Sequence, residues 1–350
     1  MSDFRVDKIS NRDGSSGTQI AGITTFSGTS GIVMPSGPTE MRGGRGRGEI
    51  SGGYGDSPLN SYNKTIEYVE IATTANAADF GDLKYARYVP ASFASSTRGI
   101  NAGGETPSNY TTHTEYVTIS SQGGGVDFGN LRNKHGYGSG LSDNTRGLVC
   151  GGHKSVSPAL SSRLIEFFTI ASTGEGTEFG NLTRDVGYTS GTSSPTRGII
   201  SGGMVIESTT YQRNIEYVTI QSKGEAQDFG SLTKVARQSG SCSSTTRGLI
   251  AGGYTPVSPS FTNVINYVTM ASTGDAQDFG DLTIATGWIG STSNQIRGIF
   301  AGAYSAAPAK FINIISQVTI ASNGNAIDFG DLLVELGGKG ACSDAHGGLG

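Results

Sequence analysis

The sequence has little of what secreted, membrane and metal-dependent proteins are usually built from. Its 350 residues include three cysteines, four histidines and one tryptophan, and only 15% are charged. No stretch approaches the roughly 18 consecutive apolar residues of a membrane-spanning helix. The start of the chain, residues 1–7, has no apolar signal-peptide core. We therefore expect a protein made in the cytoplasm, without secretory export and without membrane insertion.

Charge and glycine content exclude two further classes. A formal net charge of -4 argues against a dedicated nucleic-acid binder. Glycine is abundant, with 55 residues, about twice its usual share. The glycines follow no Gly-X-Y period, which excludes collagen, and the supply of Tyr and Phe argues against wholesale disorder. The composition is that of a folded protein rich in tight turns.

A short phrase, an acidic residue followed by Phe and Gly, occurs six times. Successive copies lie 48 to 51 residues apart, with the phenylalanines at Phe80, Phe128, Phe179, Phe229, Phe279 and Phe329. A fixed period near 50 residues is the mark of a repeat architecture. The repeat predicts the fold more directly than the function.

Each repeat contains four short β-branched or aromatic runs, separated by Gly, Ser, Asn and Pro clusters. In one unit these runs are residues 186–194, 199–203, 214–221 and 226–232, which we call strands A, B, C and D. Such runs predict strands, and no window shows the 3.6-residue apolar period of a helix. Four strands per repeat predict the blade of a β-propeller, with strand A innermost because its residues are the smallest.

The two ends of the chain predict how the ring closes. The first unit begins at strand B, residues 47–53, and has no strand A before it. The last unit is followed by a surplus strand A, residues 336–343. The prediction is an all-β, six-bladed propeller over residues 46–350, whose first blade is completed by the C-terminal strand.

The sequence contains no recognisable catalytic or metal-binding pattern. Cys242 and Cys342 occupy equivalent positions two repeats apart, too far for a disulfide, so all three cysteines are expected to be free thiols. The four histidines stand in different strand contexts and no Cys-x-x-Cys is present. Phosphate-loop and nucleophile-elbow motifs are absent as well. We expect a protein that is not an enzyme and that has no cofactor.

One charge pattern repeats with the blades. Each unit has an arginine at the A–B turn and an acid before the repeated Phe. Two interpretations are a charged ligand ring and, preferred, structural ion pairs within or between blades. The residues are Arg98, Asp127, Arg146, Glu178, Arg197, Asp228, Arg247 and Asp278.

The units differ most between strands B and C, and these six segments should emerge on one face. Variable loops on one face are either a binding surface or ordinary unconstrained surface. Their aromatic and polar side chains suit contact with sugars or proteins. The candidate recognition residues are Tyr54, Tyr62, Tyr110, His113, Lys154, Tyr211, Arg213, Tyr254, Phe261, Tyr304 and Phe311.

Residues 1–45 lie outside the repeat and are rich in Gly, Ser and Thr. They are either a flexible leader or, as we prefer, an anchoring arm that adds to another subunit's sheet. The apolar residues that would anchor it include Phe4, Val6, Ile9, Ile20, Ile23 and Phe26.

The order of features resembles the kelch repeat family. That family has Gly-Gly at the end of strand B, an aromatic residue in strand D and a basic residue near the next strand A. Here Gly-Gly recurs at 103–104, 151–152, 202–203 and 252–253, and becomes Gly302-Ala303 in the last unit. The usual strand D tryptophan is Phe throughout. The resemblance covers residues 47–345 and implies a propeller.

The amino-acid sequences of the repeats are similar to those of virion structural proteins of marine cyanobacterial tailed phages. The phrases are Ile-Glu-Tyr-Val-Thr-Ile at 215–220, Asp-Phe-Gly-Asp-Leu-Thr at 278–283 and Thr-Arg-Gly-Ile-Ile-Ser-Gly-Gly at 196–203. Residues 6–28 are similar to the N-terminal segments of proteins in the same phages. The resemblance implies a tail or baseplate protein that binds a host-surface glycan or protein. Alternatives are a head or neck decoration protein and a non-viral kelch-like interaction module.

Overall fold

A computed structural model describes residues 46–55 and 61–349, together with a two-stranded pair formed by Phe26–Ser27 and Gly31–Ile32. Residues 46–55 and 61–349 form six antiparallel sheets arranged as the blades of one propeller, five of them four-stranded and the sixth extended by a short fifth strand, Thr286–Gly287. In this part of the chain the only helical element is a 3₁₀ turn, Gly347–Leu349. No helix among the described residues is long and apolar enough to span a membrane. The prediction of an all-β, six-bladed propeller is confirmed.

Every blade has its strands in the order A, B, C, D. Blade 1 comprises Gly340–Ser343, Arg47–Ser51, Thr65–Glu70 and Ala78–Asp82; blade 2 comprises Ala91–Ala94, Arg98–Ala102, Thr111–Thr118 and Val126–His135. Blade 3 comprises Ser139–Ser142, Arg146–Cys150, Leu164–Thr169 and Thr177–Asn181; blade 4 comprises Ser190–Ser193, Arg197–Ser201, Asn214–Thr219 and Gln227–Ser231. Blade 5 comprises Gly240–Ser243, Arg247–Ala251, Val264–Thr269 and Gln277–Asp281; blade 6 comprises Gly290–Ser293, Arg297–Ala306, Ala309–Thr319 and Ile327–Asp331.

Blade 1 is built from both ends of the propeller sequence, as predicted. Its strand A, Gly340–Ser343, pairs antiparallel with strand B, Arg47–Ser51, in a register that sets Glu49 opposite Cys342. The pairing leaves no blade without its innermost strand. Closure of this kind removes the open sheet edge that would otherwise invite aggregation.

The repeated acidic-Phe-Gly phrase is a packing device between blades. All six phenylalanines are buried and lie in apolar clusters that include residues of a neighbouring blade. The glycine has a φ between 145° and 150° in five of the six copies, for example 150° at Gly230. A Cβ at Gly230 would lie 2.4 Å from the carbonyl oxygen of Gly274, in the C–D turn of the next blade. Phe fills the space between blades, and Gly lets the next backbone approach.

The innermost strands are locked together by serine hydroxyls. Ser193 Oγ donates to the Ser142 carbonyl, Ser243 Oγ to the Ser193 carbonyl, and Ser293 Oγ to the Ser243 carbonyl, each at 2.7 Å. Ser142 and Ser343 continue the series around the axis, and only Ala94 lacks the hydroxyl. The small residues of strand A therefore serve two purposes, close approach at the axis and a ring of hydrogen bonds. The three cysteines are buried free thiols, as predicted.

Among the described residues, the predicted ion pairs between the repeated arginines and acids are not observed. The acids are exposed at the blade rim, and Glu178 pairs instead with Arg132. Each arginine reaches across to the next blade and donates to the carbonyl that follows strand C there. Arg197 Nη1 lies 2.9 Å from the Met270 carbonyl, and its guanidinium lies 4.4 Å from the Tyr217 ring centroid. Arg47, Arg98, Arg146, Arg247 and Arg297 make the equivalent backbone bridge.

Buried carboxylates at one equivalent register of strand C form a second set of bridges that sequence reasoning missed. Glu67, Glu115, Glu166 and Glu216 each accept a hydrogen bond from the backbone N–H three residues after the repeated Gly of the preceding blade. Asn266 takes the same position in blade 5. Two of these glutamates have a buried cation as well: Glu115 pairs with Arg87, and Glu67 lies 2.7 Å from Lys339 Nζ. The sequence signal for these bridges was a Glu or Asn at the same register of strand C in successive repeats, among otherwise apolar residues.

Candidate functional site

The six segments between strands B and C emerge on one face, as predicted, but they are not free loops. Each pairs two residues across its base, as Tyr54 pairs with Tyr62 and Tyr254 with Phe261. The first residue of each pair also pairs with the preceding D–A link, for example Tyr254 with Arg237. Blades 3 and 4 form short hairpins here, and blade 6 extends its own strands to Ala306 and Ala309. We call this surface the loop face.

The structure changes the view of the candidate recognition residues. Tyr110, Phe261 and Phe311 are buried, and Tyr54, Tyr62, Tyr211, Tyr254 and Tyr304 are only partly exposed. Lys154 and Arg213 are exposed, as expected of surface residues. His113 lies in strand C of blade 2 with its Nδ1 3.5 Å from Asp127 Oδ1, in contact with the Tyr85 ring. The aromatic candidates are therefore packed against one another and do not project from loop tips.

The D–A links supply the residues that sequence reasoning missed. Two residues before each strand A, the chain adopts a left-handed conformation, at Val89, Tyr137, Tyr188, Gln238, Trp288 and Gly338. Five backbone hydrogen bonds connect successive members of this set, such as Tyr188 N to the Tyr137 carbonyl and Trp288 N to the Gln238 carbonyl. We call these six positions the axial collar. The signal in the sequence was an aromatic or polar residue recurring just before the small residues of strand A.

Aromatic residues from the loop bases and the D–A links join into one closed ring. Each ring contacts the next at centroid distances between 4.5 and 6.1 Å. Between Tyr188 and Tyr254 the Arg237 guanidinium takes the place of a ring, at 4.6 Å and 4.8 Å from their centroids. The aromatic circle, as we call it, comprises Tyr54, Tyr88, Tyr137, Tyr188, Arg237, Tyr254, Phe261, Tyr304 and Phe311.

One carboxylate is held within this aromatic surface. Glu105 accepts hydrogen bonds from Tyr62 at 2.8 Å and from Tyr137 at 2.6 Å. Burial, followed by the interaction with Glu105, raises the pKa of Tyr62 above its ordinary value. Burial also raises the pKa of Tyr137. Both phenols therefore stay protonated as donors, and the carboxylate is fixed by neutral partners.

Two histidines lie beneath the aromatic circle between blades 2 and 3. His153 is fully buried, with its ring 4.5 Å from that of Tyr188, and His135 Nε2 donates to the Gly151 carbonyl at 2.6 Å. Burial lowers the pKa of each to about 4, so both are neutral near pH 7. Within the described ranges, no group of three or more His, Cys, Asp or Glu side chains could hold a metal ion. These histidines support the packing of the circle.

A pocket opens at the propeller axis inside the aromatic circle. Each blade contributes two residues to its lining, one from the axial collar and the residue after it. Trp288, the single tryptophan of the chain, and Gln238 both line it. At the opposite end of the axis, the C-terminal 3₁₀ turn lies near the A–B turns, with His346 Nε2 2.9 Å from the Ala94 carbonyl. The pocket therefore lies at the loop-face end of the propeller axis.

The fold defines the chain as a six-bladed β-propeller, an architecture that commonly serves as an interaction module, and aromatic side chains surround its axis on the loop face. No protein-family model matches the sequence, and no curated protein matches it.

Proposed function

We propose that the chain is a virion structural protein of a tailed phage, and that its propeller binds a host-surface glycan or protein. The observation that carries the binding role is the closed aromatic circle on the loop face. Tyr and Trp combine a large apolar surface with a polar atom, and they are the residues that dominate recognition sites. The circle gathers six tyrosines, two phenylalanines and Arg237, with Glu105 beside them, on the one face where the blades differ most.

The virion assignment is supported by the repeat phrases quoted above, which are similar to proteins of marine cyanobacterial tailed phages. In this proposal the chain is a tail or baseplate component, made in the host cytoplasm and anchored to other virion proteins through residues 1–45. Of the residues named for the arm, Phe26 belongs to a described strand pair, and Phe4, Val6, Ile9, Ile20 and Ile23 lie outside the described residues. The protein acts by binding and not by catalysis.

The location is tested by antibody labelling of purified phage particles with serum raised against the full chain. Label at the tail tip or baseplate is the expected result. Label on the capsid or neck would favour the alternative, a decoration protein. Absence of the chain from particles, measured by mass spectrometry, would reject the virion role and favour a cellular interaction module.

Host binding is tested with the fluorescently labelled full chain and host cells. Tyr211 and Tyr254 stack with their rings 6.0 Å apart under the Arg237 guanidinium. Replacing both by Ala should lower cell binding at least tenfold. Tyr85→Ala is the matched control, since Tyr85 is 50% exposed and lies outside the circle. Equal binding by the double variant and the control would remove the circle from the binding role.

A further inference from the structure

The axial pocket has the position of a site for one small molecule. It has a volume of about 100 Å³ and is lined by two residues from every blade. Ligand pockets are usually about 300–1,000 Å³, so this one is smaller than most. It can take a single ring that enters from the loop face, whereas the rest of a larger ligand would extend out over that face.

The axial collar keeps side chains where the backbone favours glycine. Among the described residues, six that are not glycine have a positive φ, and five of them are collar positions, with φ between 47° and 59°. Blade 1 places Gly338 at the same position, with φ of 61°. Glycine adopts this conformation without strain, and the chain uses glycine freely elsewhere. Such strained residues cluster at functional sites, so their recurrence at one repeated position points to a role for the side chains themselves.

Gln238 brings an unpaired polar atom to the collar. Its side chain is 8% exposed, and its Oε1 has no hydrogen-bond partner in the part of the chain that the structure describes. Buried polar side-chain atoms are paired in the large majority of cases. Because Gln238 is a lining residue of the pocket, a ligand hydroxyl or amine that reaches this buried oxygen would supply the missing hydrogen bond.

The lining offers no free charge to that ligand. Lys339 is the one Lys or Arg in the lining, and its side chain is 1% exposed and paired with Glu67. The Tyr137 hydroxyl is engaged by Glu105. A charged ligand entering here would lose its hydration without gaining a counter-ion, which is unfavourable. The ligand that fits is neutral and carries hydroxyl groups.

We propose that the axial pocket binds one neutral hexopyranose, the terminal residue of a host glycan. Apolar surface of Tyr188 and Trp288 covers the carbon face of the sugar, and Gln238 Oε1 accepts a hydrogen bond from one of its hydroxyls. This inference rests on the proposed role in host-surface binding and names the class of sugar and its site.

Trp288 provides a direct measurement because it is the only tryptophan of the chain. The full chain is titrated with the methyl glycosides of glucose, galactose and mannose, and with methyl glucuronide as a charged probe, while tryptophan emission is recorded. At least one neutral glycoside should change the emission saturably, with a Kd on the order of 1 mM. Gln238→Ala should weaken that binding at least tenfold. Gln122→Ala, at an exposed glutamine of a C–D turn, should leave it unchanged.

A second variant separates loss of the acceptor from loss of the fold. Gln238→Glu keeps an oxygen at the same place and should retain binding within about threefold of the parent chain, whereas Gln238→Ala should not. Unfolding temperatures of all variants are measured alongside. Saturation by none of the neutral glycosides, equal binding by Gln238→Ala, or binding of the glucuronide alone would overturn the proposal.

The outcome of this titration can be separated from the outcome of the tests of the proposed function. Host-cell binding without any glycoside binding would reject the axial sugar site and leave the host-binding role in place. Glycoside binding by a chain that is absent from phage particles would leave the sugar site in place and reject the virion role.

Discussion

At the scale of single residues, Glu49 is an acidic residue at a position of strand B that is apolar in every other blade. The other five blades have Ile or Leu at this position of strand B, at Ile100, Leu148, Ile199, Leu249 and Ile299. Glu49 is 2% exposed, its Oε1 has no hydrogen-bond partner among the described residues, and Cys342 Sγ lies 3.9 Å from its Oε2. Burial and then the nearby Asp344 raise its pKa to about 8, against a smaller opposing effect of Arg47. A buried acid thus lies in the blade that closes the ring.

This carboxyl should make stability fall as pH rises. The folded chain holds a proton on Glu49 that the unfolded chain releases near its ordinary pKa, so stability declines between about pH 4.5 and pH 8. The loss at pH 7 is on the order of 3 kcal/mol. Glu49→Gln should therefore stabilise the protein at pH 8 and change it little at pH 4.5. Urea unfolding at both pH values measures this.

Other buried acids also shift, since burial raises the pKa of Glu115 and Glu166, so the wild-type profile is not due to Glu49 alone. The difference between the variant and the wild type isolates Glu49. Asp228→Asn, at an exposed acid of strand D, is the control and should track the wild type. Parallel pH profiles for Glu49→Gln and the wild type would contradict the prediction.

At the scale of elements, contacts between neighbouring blades hold the ring together. The serine hydroxyls of strand A donate hydrogen bonds to backbone carbonyls of the preceding blade. The arginine at the start of strand B donates a hydrogen bond to a backbone carbonyl of the next blade. Strand C accepts on its glutamate from the preceding D–A link. Strand D provides the buried Phe and the close-approach Gly. Each of the four strands therefore makes its own contact with a neighbouring blade, which explains why the sequences of the repeats are so uniform.

The arginine bridge can be measured in one blade. Arg197→Ala removes a charged hydrogen bond to the Met270 carbonyl and the stacking on Tyr217. The free energy of unfolding should fall by about 2 kcal/mol, the range of a charge-assisted hydrogen bond. Arg213→Ala, at an exposed arginine of the same blade, should change it by less than about 0.5 kcal/mol. Equal effects of the two substitutions in chemical denaturation would mean that the bridge contributes nothing.

At the scale of the whole molecule, the propeller is a closed chain whose last strand completes its first blade. Residues 334–350 supply strand A of blade 1, the Ser343 hydroxyl that reaches the Ser293 carbonyl, and Lys339, which neutralises the buried Glu67. No other blade depends on residues so far apart in the sequence. The closing blade is therefore where the whole ring is most sensitive to truncation.

Deleting residues 334–350 should destabilise all six blades together. The deletion leaves the edge of strand B unpaired and Glu67 buried without its cation, a loss that typically costs about 3–5 kcal/mol by itself. Differential scanning calorimetry should show a lower unfolding temperature, and size-exclusion chromatography should show association through the open edge. Deleting residues 347–350 keeps Gly340–Ser343 and serves as the milder control. An unchanged unfolding temperature for the longer deletion would mean that closure adds no stability.

The sequence alone determined the repeat, the number of blades, the strand order and the closure, because each depends on local patterns that recur at a fixed period. Phe80 and its five equivalents are buried as their recurrence predicted. The partners of Arg197 and Glu216 were decided only by the tertiary structure, since they lie on neighbouring blades and spacing along the chain does not encode them. The candidate site shows the same division. Tyr254 and Tyr304 were visible as variable aromatic residues, but their union with Tyr137, Tyr188 and Trp288 required the ring to bring six D–A links to one axis.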